Sequence, residues 1–545
     1  MQPAEILILK LKKAAKKDRK TLEKLKREIA ADFSIDFLSN SLLLKAYHKL
    51  LKEKRIERDR NLEELLKIKK IRSLSGIVIV SVLTKPYPCP GKCLYCPYQK
   101  GIPKSYVKGE PAVDRAMSLK YNPYLQVQKR LKTLEEIGHS IDKIDLRIIG
   151  GTWSYYPKKY QTWFIKECFR AANDFKNSEL QEPNSKQIQN FKFKIQKSDL
   201  EKEQKKNEKA KRRIIGITIE TRPDFIDEKE IKRLRRLGVT RVELGVQSIY
   251  DDVLKLNRRG HKVEETIKAT KLLKDAGFKI CYQMMPNLYG SNLKRDLEMF
   301  KQLFNDPRFC PDYLKIYPCA LLKEAPLYKL YKEGKYKPYS FKEILWLLKE
   351  IKKVVPYWVR IQRIVRDIPA QAIIEGPTKI SNLRQIIHQE MQKEGWRCKC
   401  IRCREVRENY DPKEKIYLFR EDYWAQEGYE IFLSFENKKR AKLFSLLRLR
   451  IPSQYFTREK HFLSVLEEAA IIREVHTYGK LVSLYQKEIA PQHRGLGKKL
   501  IKEAEKIAKE EFGLKKIAVI AGVGVRDYFR KLGYKLKNTY MIKIF

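Results

Sequence analysis

This sequence contains no run of apolar residues that approaches the roughly 20 needed to span a membrane. The segment "SGIVIVSVL" at 75–83 has instead the length of a buried strand. The N-terminus also lacks the apolar stretch and the small-residue cleavage site of a secretory signal. We therefore expect a cytoplasmic protein that has no membrane partner.

Acidic residues are scarce beside basic ones, with 67 Asp and Glu against 117 Lys and Arg, a net charge of +50. A general preference for lysine at solvated positions explains part of this surplus. It does not explain dense clusters such as "LKLKKAAKKDRKTLEKLKR" at 9–27, which favour a polyanionic partner whose counter-ions are released on binding. We predict that residues 1–73 form a basic, helical region that contacts nucleic acid.

A chain of 545 residues is too long for a single core, which predicts two or three domains. From residue 77 onward, short β-rich segments alternate with helical patterns. The six candidate strands lie at 78–83, 144–152, 214–224, 241–248, 279–288 and 313–319. Six β-α units predict parallel strands with right-handed crossovers, so the fold class is α/β and residues 74–370 form a partial (βα)6 barrel. In such a barrel, functional residues gather at the carboxyl ends of the strands.

Three other regions depart from the barrel pattern. Residues 176–213 are polar and free of glycine, which predicts a surface insertion that is partly helical or disordered. Residues 371–410 are predicted to form a linker. Residues 411–545 combine β-rich segments with the amphipathic helix "GLGKKLIKEAEKIAKEEFG", so we interpret them as a second α/β domain.

Six of the ten cysteines fall into two groups of three, an odd number that does not suit a disulfide framework. In a chain without a secretion signal, such close spacing indicates metal binding in a reducing compartment. The first group, Cys89, Cys93 and Cys96, has the spacing C-x3-C-x2-C directly after the first strand. Three thiolates leave one coordination position open. A zinc site with a distant fourth ligand is the alternative interpretation.

The second group, Cys398, Cys400 and Cys403, lies in the predicted linker. Three thiolates this close together favour a structural zinc site that clamps the two domains to each other. A second iron–sulfur cluster is the competing interpretation. The candidates for the fourth zinc ligand, in order of preference, are Cys319, Cys310 and His388.

Near the C-terminus, "QHRGLG" at 492–497 opens the long amphipathic helix and resembles the phosphate-binding loop of the GNAT acetyltransferase fold. Backbone N–H groups at such a helix start can hold the pyrophosphate of coenzyme A. The β-rich run before this loop and "AVIAGVGVRDYFRKLGY" after it suit the same fold. A nucleotide-phosphate loop of another kind is the alternative.

The cysteine spacing of the first group resembles that of radical S-adenosylmethionine enzymes. Together with "RVELGVQS", "NRRGH", "LKIYP", "REVHTYG" and "QHRGLG", the sequence from about residue 75 onward resembles the catalytic subunit of Elongator, in the layout of its stand-alone archaeal and bacterial members. The resemblance implies a 4Fe-4S cluster, S-adenosylmethionine and acetyl-CoA as cofactors, and tRNA as the substrate. The implied product is 5-carboxymethyluridine at the wobble position: a 5′-deoxyadenosyl radical takes hydrogen from the acetyl methyl, the carbon radical adds to uridine C5, and water cleaves the thioester.

The resemblance also assigns site residues by position. Those that bind S-adenosylmethionine at the strand ends would be Gly150, Gly151, Thr152, Glu220, Arg222, Glu243 and Gln247. Those that bind acetyl-CoA would be Lys143, Glu474, Val475, His476, Thr477, Gln492, Gly495, Leu496, Gly497, Lys498, Tyr528 and Phe529. The candidates for assisting thioester cleavage are Glu474, His476 and Tyr528.

Two other functions are open at this level. The chain could be a protein lysine acetyltransferase whose barrel serves only as a scaffold, or a non-catalytic RNA-binding or assembly subunit. The cysteine triad and the glycine loop disfavour the second of these, because a scaffold needs neither. Elongator-like accessory subunits and a second copy of the chain are both candidate partners.

Overall fold

The computed structural model describes residues 1–68, 76–175, 197–376, 379–380, 382–407, 411, 413–479 and 495–545. The N-terminal region contains four helices: α1 Pro3–Lys13, α2 Arg19–Asp32, α3 Asn40–Lys52 and α4 Arg60–Leu66. Asp18, Ser39 and Asp59 begin the last three, because each side chain accepts a hydrogen bond from a backbone N–H in the first turn. Their apolar faces enclose a separate core.

A curled sheet of seven parallel strands, hydrogen-bonded in sequence order, forms the central domain. The strands are β1 Val78–Leu83, β2 Lys143–Ile149, β3 Arg213–Thr221, β4 Arg241–Gln247, β5 Lys279–Met284, β6 Tyr313–Ile316 and β7 Arg360–Arg363. The α/β partial barrel is therefore confirmed, with one strand more than predicted. Strand β7 was missed because its four residues, "RIQR", contain a single apolar side chain.

Helices alternate with the strands, and those whose apolar faces enter the main core cover the outer face of this sheet. The helices of this domain are α5 Pro111–Ser118, α6 Pro123–Glu136, α7 Lys158–Asp174, α8 Lys197–Lys209, α9 Glu228–Leu237, α10 Asp251–Leu256, α11 Val263–Asp275, α12 Leu293–Asn305, α13 Leu327–Lys332 and α14 Phe341–Val354. Strand β2 shows the alternation that results: Ile144, Leu146 and Ile148 are buried beneath the helices. Lys143, Asp145 and Arg147 alternate with them and face a polar space enclosed by the sheet, which we call the barrel lumen.

The predicted surface insertion is helical where the structure describes it, and it packs against the rest of the protein. Residues 176–196 lie outside the described residues, and α8 follows them. The side chain of Asn207 in α8 is buried and accepts a hydrogen bond from the backbone N–H of Ile214 at 2.8 Å. Glu208 pairs with Arg526 of the C-terminal domain at 3.0 Å. This helix therefore joins two domains, a role that its polar sequence did not predict.

The C-terminal domain contains a second seven-stranded sheet, mostly antiparallel, in the order β13-β14-β12-β11-β10-β9-β8. Its strands are β8 Tyr417–Ala425, β9 Gly428–Glu436, β10 Leu443–Ile451, β11 Ala469–Thr477, β12 Lys516–Val519, β13 Lys535–Lys537 and β14 Tyr540–Ile544. The remaining helices are α15 Leu383–Lys393, α16 Ile401–Arg404, α17 Ser453–Thr457, α18 Leu496–Glu510 and α19 Arg526–Arg530. The apolar face of α18 packs on this sheet.

Buried ion pairs hold the barrel against the C-terminal domain. The Asp275 carboxylate, at the end of α11, accepts hydrogen bonds from the Arg450 guanidinium at 2.6 and 2.9 Å and from the Ser453 hydroxyl at 2.7 Å. The contact is tight elsewhere too, because a Cβ on Gly522 would overlap the backbone carbonyl of Ile215. Within the described part of the chain, no helix combines the length and apolar character that crossing a bilayer requires.

Candidate active site

One continuous cavity of about 1310 Å³ connects the first cysteine group to the C-terminal domain. At one end it is lined by the loop that carries Cys89, Cys93 and Cys96, beyond the carboxyl end of β1. At the other end it is lined by β11 and by the start of α18. Motifs that are about 400 residues apart in the sequence therefore face the same space.

The cysteine loop owes its path to Gly91. A Cβ at this position would lie 2.7 Å from Nη1 of Arg222 and 3.4 Å from Sγ of Cys93, so a larger residue would have to displace the Arg222 guanidinium. Nη1 of Arg222 is buried and has no hydrogen-bond partner among the described residues. An unpartnered cationic donor beside three thiols is what a site for an anionic metal cluster provides.

The two cysteine groups differ in the spacing of their sulfur atoms. The Sγ atoms of Cys398, Cys400 and Cys403 all lie within 4.8 Å of one another, whereas the first group is more widely spread and does not meet that limit. Thiolates around one tetrahedral zinc ion lie about 3.8 Å apart, given Zn–S bonds of about 2.3 Å. The first group therefore suits a cluster of several irons, and the second suits a single ion.

The thiols of the first group differ in how readily they ionise. Burial opposes ionisation of Cys93, but the guanidinium of Arg259, a hydrogen bond from Tyr95 and the charge of Arg222 together outweigh this effect and lower the thiol pKa. Burial raises the pKa of Cys96 to about 12, with the nearby Cys93 adding to the effect. Metal binding at this loop must therefore release a proton from Cys96 near neutral pH.

The turn after β2 brings backbone to the cysteine loop. Gly150 and Gly151 have φ angles of +114° and +65°, and a Cβ on Gly150 would lie 2.4 Å from Oγ1 of Thr84. Only glycine suits such a position. The hydroxyl of Thr152 then lies 4.0 Å from Sγ of Cys89. Gly151 and Thr152 line the cavity, whereas Gly150 packs beneath them.

Two of the predicted carboxylates are tied together inside the lumen by Lys315 of β6. The Lys315 ammonium donates to Glu220 at 3.0 Å and pairs closely with Glu243. Burial opposes ionisation of Glu243, but Lys315 and Arg241 lower its pKa to about 2. Glu243 is 1% exposed and lies behind Lys315, so it supports the cavity without lining it. Arg222 and Gln247, at the ends of β3 and β4, do line it.

The end of the cavity in the C-terminal domain contains the glycine loop. Gly495 has a φ of +67° and precedes the first residue of α18, so the backbone turns into the helix with no side chain in the way. A Cβ on Gly497 would lie 3.5 Å from the hydroxyl of Thr477 and 3.7 Å from that of Tyr528. Gly495, Gly497 and Lys498 line the cavity, so the first turn of α18 borders it. Gln492 lies outside the described residues.

The other residues predicted for this end occupy different settings. Lys143, Val475 and Lys498 line the cavity. Leu496 is buried in an apolar cluster with residues of β10, so it serves packing. Phe529 borders the cavity but is buried in the main core of the C-terminal domain.

The three candidates for thioester cleavage differ in their protonation. The carboxylate of Glu474 accepts hydrogen bonds from Arg448 at 2.9 Å and from the Tyr313 hydroxyl. Burial opposes its ionisation, but Arg448 and Lys279 lower the pKa to about 2. Burial lowers the pKa of His476 to about 4, and its buried Nε2 has no partner among the described residues. Burial raises the pKa of Tyr528, so its phenol is protonated.

Sequence reasoning missed three residues at this end. Lys279 and Tyr313 are the first residues of β5 and β6 and face the lumen, and Arg448 lies in the middle of β10. Burial, opposed by Glu474, lowers the pKa of Lys279 to about 8. The inward alternation of β5 and β6 could have indicated Lys279 and Tyr313, whereas no pattern marks Arg448.

The second cysteine group corrects the prediction for its fourth ligand. Cys319 packs among Leu94, Leu321 and Tyr336, in a different apolar cluster from Cys398 and Cys400. Within the described ranges, neither Cys319, Cys310 nor His388 joins the three thiols. The polar group closest at hand is the ammonium of Lys352, whose Nζ lies 3.4 Å from Sγ of Cys403.

Family models define the class of this protein. Residues 87–303 match the Radical SAM superfamily, and residues 311–393 match the Radical_SAM C-terminal domain. The fold and the cysteine loop described above agree, so the chain contains a radical S-adenosylmethionine domain, and such a domain implies a 4Fe-4S cluster and S-adenosylmethionine.

Individual relatives identify the family. The chain is 43% identical over 555 residues to the tRNA uridine(34) acetyltransferase of Methanocaldococcus infernus, covering 99% of this chain and 98% of the relative. It is 39% identical to Elongator complex protein 3 of Saccharomyces cerevisiae, covering 88% and 85%. A solved structure of the archaeal Methanocaldococcus infernus Elp3, with an N-terminal deletion, matches with a TM-score of 0.71 at 42% identity, covering 87% of this chain and all of that one. The chain belongs to the Elongator Elp3 and tRNA uridine(34) acetyltransferase family.

Proposed function

We propose that this protein forms 5-carboxymethyluridine at the wobble position of tRNA, using acetyl-CoA and S-adenosylmethionine. The observation that carries the proposal is the single cavity that joins the cysteine loop to the start of α18. An acetyltransferase that acted on proteins would have no use for a connection to an iron–sulfur site. The relatives from two Methanocaldococcus species are tRNA uridine(34) acetyltransferases, which supports the same substrate.

At the barrel end, the residues present suit the implied cluster. Cys89, Cys93 and Cys96 would hold three of its irons, and the fourth would be open to S-adenosylmethionine. When bound, this pair supplies a carbon-centred radical at the mouth of the lumen. The backbone of Gly151 and the Thr152 hydroxyl, which line the cavity beside Cys89, would hold the polar end of S-adenosylmethionine.

At the other end, the first turn of α18 would hold the pyrophosphate of acetyl-CoA, because its backbone N–H groups have no partners within the helix. His476 is neutral at pH 7 and its Nε2 has no partner among the described atoms, so it can hold the water that cleaves the thioester by a hydrogen bond. Tyr528 can donate a hydrogen bond. Glu474 is a fixed anion that orients neighbouring donors and is a poor base, because its pKa is about 2.

The second cysteine group is proposed to hold a structural zinc ion. Its three sulfurs have the spacing of a single-ion site, and zinc is the natural ion for buried thiolates. Three thiolates and Zn²⁺ carry a net charge of −1. The buried ammonium of Lys352, 3.4 Å from Sγ of Cys403, offsets that charge.

The tRNA is proposed to bind first through its phosphates. The bundle α1–α4 presents lysine on its solvated faces, and phosphate contacts position a nucleic acid without reading its bases. The target uridine must leave its stack to reach the lumen. Deleting this bundle should therefore weaken the binding of different tRNAs to a similar degree, whatever their sequence.

The test is anaerobic turnover of the cluster-loaded protein with tRNA, acetyl-CoA and S-adenosylmethionine, followed by nuclease digestion and mass spectrometry. We expect 5-carboxymethyluridine from the wild type and none from Cys93→Ser, while Cys398→Ser loses zinc and keeps its iron. If no modified uridine forms although the cluster is intact and S-adenosylmethionine is cleaved, the proposal fails. If Cys93→Ser acetylates a peptide as well as the wild type does, the chain is a protein acetyltransferase.

A further inference from the structure

Arg259 is a buried cation beside the cysteine loop. It lies in the turn after α10, within "NRRGH", and is 7% exposed. Its Nη1 lies 3.6 Å from Sγ of Cys93, and its Nη2 donates to the backbone carbonyl of Gly245 at 2.6 Å. Contacts from two directions therefore hold the guanidinium against the cysteine.

Arg259 differs from its neighbour Arg222 in its counter-charge. Arg222 donates to both carboxylate oxygens of Asp224, at 2.9 and 2.8 Å. Among the described residues, the hydrogen-bond partners of Arg259 are instead the Cys93 sulfur and the Gly245 carbonyl, and neither is a carboxylate. Burying a cation is costly unless an anion accompanies it. The Cys93 sulfur, which is anionic once it binds iron, is therefore the counter-charge that the loaded site would supply to Arg259.

We propose that Arg259 is the counter-charge of the iron–sulfur cluster and a positioning residue that sets its reduction potential. A 4Fe-4S core with three thiolates carries a net charge of −1 when oxidised and −2 after it accepts one electron. A fixed cation at this distance stabilises the more negative state more strongly. Arg259 therefore makes the cluster easier to reduce. The inference rests on the cluster of the proposed function and is independent of the reaction on tRNA.

The test compares Arg259→Gln with Arg258→Gln in the cluster-loaded, full-length protein. Arg258 is the matched control, because it is the preceding arginine and its side chain is exposed. The reduced cluster is counted by electron paramagnetic resonance during an anaerobic titration with dithionite, without S-adenosylmethionine. For Arg259→Gln we expect at least a tenfold lower ratio of reduced to oxidised cluster at a given potential, a downward shift of about 59 mV for one electron.

Arg258→Gln should titrate like the wild type, and Arg259→Lys should lie closer to the wild type than Arg259→Gln does. If Arg259→Gln has the wild-type potential, or shifts only when S-adenosylmethionine is added, the inference is overturned. If Arg259→Gln loads less iron than Arg259→Lys, the charge is needed even to hold the cluster, which supports it. If both Arg259 variants lose the cluster equally, the shape of arginine matters and its charge does not, which overturns it.

Because the potential is read without tRNA or acetyl-CoA, this result is separable from the proposed function. If the wild type forms no carboxymethyluridine but Arg259→Gln still lowers the cluster potential, the result counts against the proposed reaction alone. A wild-type potential in Arg259→Gln alongside normal tRNA modification would count against the inference alone.

Discussion

The buried contact between Asp275 and Arg450 should contribute more to stability than an exposed pair of the same chemistry. Asp275 is 1% exposed and Arg450 is fully buried, and the pair joins the barrel to the C-terminal domain. Changing Asp275→Asn preserves the shape of the side chain but removes one of the negative charges that balance the Arg450 guanidinium. Breaking a buried ion pair on one side typically costs about 3–5 kcal/mol.

The structure places the expected cost near the lower bound of that range. Arg450 retains a second carboxylate, Glu430, at 3.1 Å, so its charge is not left alone. We therefore expect Asp275→Asn to lower the free energy of unfolding by about 3 kcal/mol, a factor of more than 100 in the ratio of folded to unfolded protein. The first unfolding transition should report it, because the lost contacts lie between domains.

The matched control is Asp252→Asn. Asp252 also contacts an arginine, with two hydrogen bonds of 2.8 Å to Arg295, but the carboxylate side chain is 59% exposed. Exposed pairs contribute about 0–1 kcal/mol, so this variant should unfold close to the wild type. Urea denaturation of the metal-loaded protein, followed by tryptophan fluorescence, measures both. If the two variants differ by less than 1 kcal/mol, the reasoning from burial is refuted.

Three further predictions concern the cavity. Burial lowers the pKa of His476 from 6.5 to about 4, so as the pH falls below 6.5 the unfolded chain binds a proton that the folded chain does not, and the folded state is destabilised. Between pH 7.5 and pH 5, the free energy of unfolding of the wild type should fall by about 2 kcal/mol more than that of His476→Gln, as measured by denaturation at the two pH values. Gly150→Ala should lower iron loading and cost about 2–3 kcal/mol, because its Cβ meets Thr84, whereas Gly334→Ala, with an open position at φ +71°, should keep its iron. The pKa of Lys279 is lowered to about 8, so the rate of acetyl-CoA hydrolysis by the wild type should depend on pH around 8, where this lysine loses its charge. The rate of Lys279→Met should lack this dependence, and a variant with the same pH profile as the wild type would exclude this lysine from the reaction.

The barrel could be predicted from the sequence because each of its elements is determined by a short, continuous segment of the chain. Each of the strands β1–β6 is a short β-rich segment followed by a helix, and the order of strands in the sheet follows the order of the chain. The cysteine loop and the glycine loop could be predicted for the same reason, since each is a run of neighbouring residues whose spacing determines its chemistry. All three thiols of the first group and Gly497 line the cavity.

What could not be predicted depends on contacts between distant segments. Glu474 was a candidate base, but Tyr313 and Arg448 arrive from other strands and make it a stable anion. Cys319 was the preferred zinc ligand because it follows the end of a strand. In the structure it is buried in an apolar cluster that does not include the thiols of Cys398, Cys400 and Cys403. The helix α8 appeared as polar surface, since nothing in its composition shows that Glu208 meets Arg526.

The dimensions of the barrel constrain the kind of reactant it can use. The cysteine loop lies past the carboxyl ends of the strands, whereas Glu474 contacts Tyr313 at an amino end. With seven residues, β2 spans about 20 Å between these two ends. A reactant fixed at one of these ends would lie about 20 Å from a reactant fixed at the other. Only a group carried on a long flexible arm, as the acetyl group of the proposed acetyl-CoA is, crosses that distance while its anchor stays in place.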